Sequence, residues 1–361
     1  MVTVYYFTNW SPCFIHTSYE GQWKSLKMSP HPSRRSWQQI NLAYLGEFVF
    51  TNGDGLWDNP QPGKNYQNPG VPLFAVYRGK EIPIIQSESI LLISDLDNTL
   101  IGSHPDTHAA QRRFNEYWIS KHYFTGSKLV YSTGRSLEEY QELFDQGYKM
   151  LEPDMIVTAV GSDAYTKDYK TGQYLNHIDF HHLYDGENWD SEIMAKLMIE
   201  HFPWMVIPTK KYIYPFKIWV TARLPDVLEH KNRLKHFLKN TSGEIREGKV
   251  IHARAIISGI ADWRYIDITP RIGGKRMGVR YAQKYFKFAP DHTIVAGDSG
   301  NDIEMFRDPE HHGILVGNAE GEMCEWFDKK PRVNKFKSEF FWGDGVIDGI
   351  EKIFGNQISK V

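Results

Sequence analysis

Two aspartates one residue apart, Asp95 and Asp97, close the apolar run LLIS at residues 91–94. Three other stretches end apolar runs in the same way: Thr133 and Gly134 in YSTGRS, Lys275 in RIGGKRMG, and Asp298, Asn301 and Asp302 in AGDSGND. Together they supply four carboxylates, a hydroxyl, exposed backbone N–H groups and one ammonium. Crowded carboxylates repel unless a cation holds them, and a hard, oxygen-rich set suits Mg2+. A lysine and a hydroxyl beside such a metal complement a phosphate. A carboxylate held against a phosphoryl group can attack it and form an aspartyl-phosphate. Each stretch alone has a plain reading: D-x-D is commonly a solvated turn with Asp as a helix cap, and STGR or GGK marks a helix boundary. Four of them in order, each at a strand end, point to phosphoryl chemistry.

Such groups need a sheet to hold them. From residue 90 the pattern alternates strand, loop and helix: ILLISDLDNT then HAAQRRFNEYWISKHY, KLVYSTGRS then LEEYQELFDQ, and HTIVAGDSGND then IEMF. That alternation predicts a doubly wound, mostly parallel α/β sheet, whose ligands sit outside the carboxyl ends of the strands. Residues 90–162 and 263–361 are assigned to this core. Between them, residues 163–262 mix strands (KYIYPFKIWVTA, KVIHARAII) with helices (DSEIMAKLMIEHF, PDVLEHKNRLKHFLKN) and read as an inserted α+β cap. Residues 1–82 are rich in aromatics, Gly, Asn and Pro, with short alternating runs such as VTVYYF, EFVFTN and PLFAVYRG. This predicts an N-terminal antiparallel β-sandwich, followed by a linker at 83–89. The chain is thus multidomain, as its 361 residues require.

The net charge of −2 gives no electrostatic reason to expect nucleic acid or an anionic membrane as partner. No apolar run approaches a bilayer span. Cys13 and Cys324 are the only cysteines, which suggests a reducing compartment and no disulfide framework. The opening MVTVYYFTNW reads as strand, with neither the apolar core of a secretion signal nor the Ser/Arg bias of a transit peptide.

The stretches SDLDNTLI, RFNEYW, YSTGRS, PDMIVTAVGSDAY, YPFKIWV, DITPRIGGK and AGDSGNDIEMF resemble the haloacid dehalogenase superfamily, and within it the sucrose-phosphate phosphatase branch. The resemblance implies that Asp95 is the nucleophile and Asp97 the general acid, then the base that activates water. It implies that Thr133 and the Gly134 N–H hold phosphate oxygens and that Lys275 neutralises them. Mg2+ would bind Asp95, the backbone carbonyl of Asp97 and Asp298, with Asp302 in support. Asn301, Lys217 and Asp163 join Gly134 as substrate-binding candidates, the last two in cap patches that match around Gly161 to Tyr165 and Lys217. A lysine on a strand more often faces water. Two departures are visible: GGKR lacks the Gly that commonly follows the lysine, and IISGIADWRY carries a short insertion. The cap supplies the leaving-group contacts, so the chemistry carries over more firmly than the sugar.

The first eighty residues contain Trp10, Trp23, Trp37 and Trp57, with His16 and many tyrosines. Core is the ordinary place for a Trp in a small module. Trp57, however, stands in TNGDGLWDNPQPGKNY, dense enough in Gly, Asn, Asp and Pro to read as a loop. An exposed indole beside amides matches a glucose unit, with the C–H face on the ring and the hydroxyls on the amides; a site for bases would need basic neighbours, which are sparse. VTVYYFTNWSPCFIHTSYEGQW, EFVFTNGDGLWDN and KNY resemble the starch-binding β-sandwich modules of amylases and some starch synthases. By that resemblance His16, Trp23 and Trp57 form an α-glucan platform, with Asn59 and Asn65 as hydrogen-bonding candidates; Pro60 stands where the family often has a polar residue.

The expectation is therefore a Mg2+-dependent phosphomonoesterase that hydrolyses a sugar phosphate of the sucrose-phosphate kind and is tethered to starch or a related α-glucan. The expected location is intracellular, in the plastid stroma, at the starch granule or in the cytoplasm. A phosphorylated glucan or maltodextrin is the competing substrate class. A catalytically silent starch-binding scaffold is the competing non-enzyme reading, against which every catalytic position is present. A large insertion after STGR fits hydrolases better than phosphomutases.

Overall fold

The computed structural model describes residues 1–19, 22–207, 212–240, 244–245, 249–250, 252–259, 262–329 and 334–355. Ile260 and Ala261, within the expected IISGIADWRY insertion, lie outside them. The chain divides into two compact units. One gathers Met1–Ser89 with Asn115–Ser127 and Lys167–Tyr174; the other holds Ile90–Phe114, Lys128–Thr166 and Leu175–Val361. Cys13 and Cys324 are both free thiols. Among the described residues no helix is long and apolar enough to cross a membrane.

The first unit contains a five-stranded sheet in the order Ser29–Pro30, Trp37–Leu42, Val2–Phe7, Leu73–Tyr77, Lys80–Pro83, and a four-stranded sheet in the order Gln22–Lys27, Phe14–Tyr19, Phe48–Thr51, Trp57–Asp58. Alternation along the strands turns Val4, Tyr6, Phe74 and Val76 of one sheet and Ile15, Phe48 and Phe50 of the other into a single buried cluster. Tyr6 stacks on Phe50 with ring centroids 3.6 Å apart. The hydroxyls of Tyr6 and Tyr66 both donate to Asp58 Oδ2 at 2.9 Å, so neither is buried without a partner. Three sequence expectations are corrected. The pairing is not antiparallel throughout, because Val2–Phe7 runs parallel to Leu73–Tyr77. Trp57 lies in the short strand Trp57–Asp58, where pairing with Phe48–Thr51 overrides the loop-like composition around it. The linker starts later than residue 83, since Pro83 ends a strand and the Ile84 N–H donates to Leu73 O at 3.1 Å.

The second unit is built on an eight-stranded sheet in the order Tyr174–Asn176, Asp163–Lys167, Met155–Thr158, Lys128–Ser132, Leu91–Ser94, Thr293–Gly297, His312–Leu315, Lys335–Lys337. The runs LLIS, MIVT and TIVAG are fully buried, as expected for parallel strands covered on both faces. Leu91–Ser94 lies between Lys128–Ser132 and Thr293–Gly297 and runs parallel to both. Asp95, Thr133 and Asp298 therefore leave three adjacent strands at the same end. The helix Lys275–Phe286 brings Lys275 to that end. It packs so closely that a Cβ on Gly278 would lie 2.7 Å from Val157 Cγ1.

The cap is a four-stranded sheet in the order Ile213–Tyr214, Lys217–Arg223, Trp263–Pro270, Ala253–Ser258. One face, through Ile218, Val220, Ile266 and Ile268, shares an apolar core with Met194 and Met198 of helix Ser191–His201 and Val227 and Leu234 of helix Leu224–Asn240. The expected cap limits of 163 and 262 both move. Asp163–Lys167 and Tyr174–Asn176 extend the core sheet as an edge, with Asp163–Lys167 antiparallel to Met155–Thr158. Trp263–Pro270 is a central cap strand. Alternating patterns gave no local sign of which sheet each strand joins.

Candidate active site

Asp95 is held by its own N–H, which donates to Ala296 O at 2.9 Å on the neighbouring strand. Its carboxylate lies 2.7 Å from Lys275 Nζ, and the same ammonium reaches Asp302 Oδ1 at 2.6 Å. Lys275 is fully buried. The other oxygen of Asp302 accepts the N–H groups of Asp298 and Ser299, each at 3.0 Å, which ties the loop SGND into a tight turn. Thr99 Oγ1 donates to Asp298 Oδ1 at 2.9 Å. Carboxylate oxygens of Asp95, Asp298 and Asp302 all lie within 4.8 Å of one another.

Burial pushes the Asp95 carboxyl up to about 7, with Lys275 opposing and Asp302 and Asp97 adding to the rise. Burial also raises Asp298 well above the usual carboxylate range, helped by Asp302 and Asp95. Burial alone would lower Lys275, but Asp302 and Asp95 outweigh it and the ammonium is held above its ordinary value. Three buried carboxylates thus share one ammonium. The excess negative charge in an oxygen-only cluster is what a divalent cation relieves, so the donor set fits Mg2+.

Asp97 has its side chain partly exposed and faces a cavity of about 460 Å3. Arg135 grips it with two parallel bonds, Nε to Oδ2 at 2.8 Å and Nη2 to Oδ1 at 2.7 Å. Gly134, Asn301 and Asp298 line the same cavity. Thr133 is buried, and its Oγ1 accepts the Arg135 N–H at 3.1 Å. Three successive residues with positive φ, Ala159, Val160 and Gly161, turn the chain beyond Met155–Thr158. At Gly161 a Cβ would stand 2.5 Å from Gly274 O, so this turn needs glycine to seat the start of the Lys275 helix.

The cap supplies the roof. Lys217 is buried, not solvated as strand lysines commonly are. Its Nζ donates to Gly134 O at 3.2 Å and lies 2.8 Å from Asp267 Oδ1, an ion-pair distance without hydrogen-bond alignment. Tyr212, Tyr214, Trp219 and Tyr265 add an aromatic wall. Asp163 is placed elsewhere: it lies 2.7 Å from His181 Nε2, accepts Asn176 Nδ2 at 3.3 Å, and lines a separate cavity. Sequence reading missed Arg135, Thr99, Asp267, Trp219 and Tyr265. Four of them stand inside stretches that carry the resemblance, Arg135 in YSTGRS, Thr99 in SDLDNTLI, Trp219 in YPFKIWV and Asp267 in DITPRIGGK, whereas Tyr265, in the departing stretch IISGIADWRY, carries no local signal.

In the first unit His16, Trp23 and Trp57 do come together. The His16 ring stacks on Trp23 at 5.1 Å and 19°, and meets Trp57 edge-on at 5.2 Å. The two indoles remain 42% and 53% exposed, far more than core residues. Asn59 Nδ2 donates to Lys64 O at 2.9 Å within its own loop, and Asn65 Nδ2 donates at 3.0 Å to Oε2 of Glu47, the residue before strand Phe48–Thr51.

Residues 88–354 match the family described as Sucrose-6F-phosphate phosphohydrolase. Sucrose-phosphatase 2 of Nicotiana tabacum is 29% identical over 240 residues, covering 66% of this chain and 52% of that protein. Probable sucrose-phosphatase 1 of Arabidopsis thaliana is 30% identical over 254 residues, covering 68% and 54%. The chain thus spans about half the length of these curated relatives. Among solved structures, the sucrose-phosphatase from Synechocystis sp. PCC6803 in complex with sucrose and phosphate superposes with a TM-score of 0.60 at 27% identity, covering 74% of this chain and 98% of that one.

Proposed function

Because the chain belongs to the sucrose-6F-phosphate phosphohydrolase family, we propose that it hydrolyses a sugar phosphate of the sucrose-phosphate kind through an aspartyl-phosphate. One observation carries the reading: a buried carboxylate, Asp95, paired with a buried Lys275 on the floor of a cavity whose roof is the cap. An Asp95 oxygen attacks phosphorus, the P–O bond to the sugar breaks, and Asp97 gives its proton to the departing sugar oxygen. Asp97 then takes a proton from water, which attacks the phosphoaspartate and releases inorganic phosphate. Arg135 grips both Asp97 oxygens in this structure and frees one of them when Asp97 carries the proton. Gly134 and Thr133 cradle the phosphate oxygens and Lys275 balances their charge. Asn301 and Lys217 reach the substrate. Asp95, Asp298 and the Asp97 carbonyl, with Asp302 in support, would hold Mg2+, which would neutralise phosphoryl charge when bound.

The first unit is read as a β-sandwich that binds starch or a related α-glucan through His16, Trp23 and Trp57, with Asn59 and Asn65 at the rim. This exposed aromatic cluster favours a second substrate class, a phosphorylated glucan or maltodextrin. A panel of sugar phosphates, phosphorylated maltodextrins and p-nitrophenyl phosphate, each assayed with Mg2+ and with EDTA, tests the proposal. Hydrolysis of a sugar phosphate that vanishes in EDTA is expected. No turnover of any compound would leave only the silent, glucan-binding scaffold.

A further inference from the structure

The cap's antiparallel ladder sets Trp219 opposite Asp267, Thr221 opposite Tyr265, and Arg223 opposite Trp263. Opposed residues, and residues two apart along a strand, share a face. Lys217, Trp219, Thr221 and Arg223 therefore lie on the same face as Trp263, Tyr265 and Asp267. The intervening Ile218, Val220, Ile266 and Ile268 turn into the cap core. Exposure rises along this face. Lys217 and Asp267 are 2% and 3% exposed over the active-site floor, Tyr265 is 44% exposed, and Trp263, at the far end, 45%. Trp219 and Tyr265 stack at 5.6 Å and 22°, and Tyr212 meets Trp219 at 4.5 Å. At the end of the row the Arg223 guanidinium sits 4.8 Å from the Trp263 ring. The seven residues from Lys217 to Arg223 cover about 20 Å, longer than a disaccharide.

We propose that this row is an extended saccharide subsite, so that the phosphatase accepts a phosphorylated α-glucan oligosaccharide whose unreacted end runs along Trp219, Tyr265 and Trp263. The proposal rests on the phosphatase reading and names its substrate class. Among the described residues of this row beyond Lys217 and Asp267, the aromatic side chains outnumber the charged ones, with Arg223 as its guanidinium and no carboxylate, which suits a neutral chain with apolar C–H faces and hydroxyl edges. A core role does not explain rings that remain nearly half exposed. An anionic headgroup would call for more than one cation along the row.

The test uses the full chain with Mg2+ and a Trp57→Ala background, which removes any help from the first unit. Singly phosphorylated maltooligosaccharides of two, four and six glucose units are compared by kcat/KM. The expected rise from the shortest to the longest is about tenfold, which corresponds to 1.4 kcal/mol, and it should reside in KM. Trp263→Ala should bring the long-to-short ratio to about one. A flat length dependence, or a ratio that survives Trp263→Ala, overturns the subsite while leaving a short-sugar phosphatase intact. Binding of unphosphorylated maltohexaose, followed by isothermal titration in the same background, is independent of turnover. It should be detected and should weaken about tenfold in Trp263→Ala. Absence of that binding overturns the subsite even if no phosphate ester is hydrolysed, the result that separately sinks the phosphatase reading.

Discussion

Asp95→Asn should abolish turnover and, in EDTA, leave a protein at least as stable as the parent. Asp95 sits 2.7 Å from Lys275 Nζ and within 4.8 Å of carboxylate oxygens of both Asp298 and Asp302. With an effective dielectric constant near 20, the attraction is about 6 kcal/mol and each repulsion at least about 3.5 kcal/mol. The repulsions together exceed the attraction, and desolvation of the buried ion adds to the cost of the charged form. Asn keeps the shape, removes the charge, and leaves Lys275 paired with Asp302 at 2.6 Å. The variant should therefore gain on the order of 1–3 kcal/mol without metal. Mg2+ should narrow that difference: at a hundred times its Kd it stabilises the parent by about 2.7 kcal/mol, and the variant by less because it has lost a ligand. Phosphate release gives the activity, and thermal unfolding in EDTA and in saturating Mg2+ gives the stability. Retention of more than a small fraction of parental rate would refute the nucleophile. A variant clearly less stable in EDTA would refute the crowded-carboxylate argument.

Lys217→Ala should raise KM for the preferred sugar phosphate much more than for p-nitrophenyl phosphate, whose leaving group has no sugar hydroxyls. It should also cost about 3 kcal/mol of stability by orphaning buried Asp267; adding Asp267→Leu should restore stability but not KM, and equal KM effects on both substrates would remove Lys217 from the sugar site. Trp57→Ala should abolish co-sedimentation with insoluble starch and leave hydrolysis of p-nitrophenyl phosphate unchanged; if the parent also ignores starch and cyclodextrin, the tether fails. His311 is buried, and burial lowers its pKa from 6.5 to about 4. The unfolded chain then binds more protons between those values, so stability falls as pH drops through that window, by about 2 kcal/mol at pH 5. His311→Gln should show a loss between pH 7.5 and pH 5 that is smaller by about that amount in thermal unfolding, and an unchanged loss would show that His311 does not carry it.

The sequence by itself determined which residues gather at the candidate site and the kind of sheet that carries them. Asp95, Thr133 and Asp298 each follow directly on a buried apolar strand, and Lys275 opens a helix, so chain-local patterning was enough to place them at one edge of an α/β sheet. The tertiary structure decided what depends on partners distant in the chain. Strand order set Leu91–Ser94 between its two neighbours, and only then did Asp95 and Lys275 meet. Lys217 reads as an ordinary strand lysine until the ladder with Trp263–Pro270 brings Asp267 over it. Asp163 reads as a site residue until His181 and Asn176 draw its carboxylate into another cavity. Trp263 and Tyr265 belong to the cap roof only because of register, and a slip of one residue would turn both into the cap core. Short-range chemistry is written in neighbours along the chain, whereas burial, pairing and facing are properties of the assembled sheets.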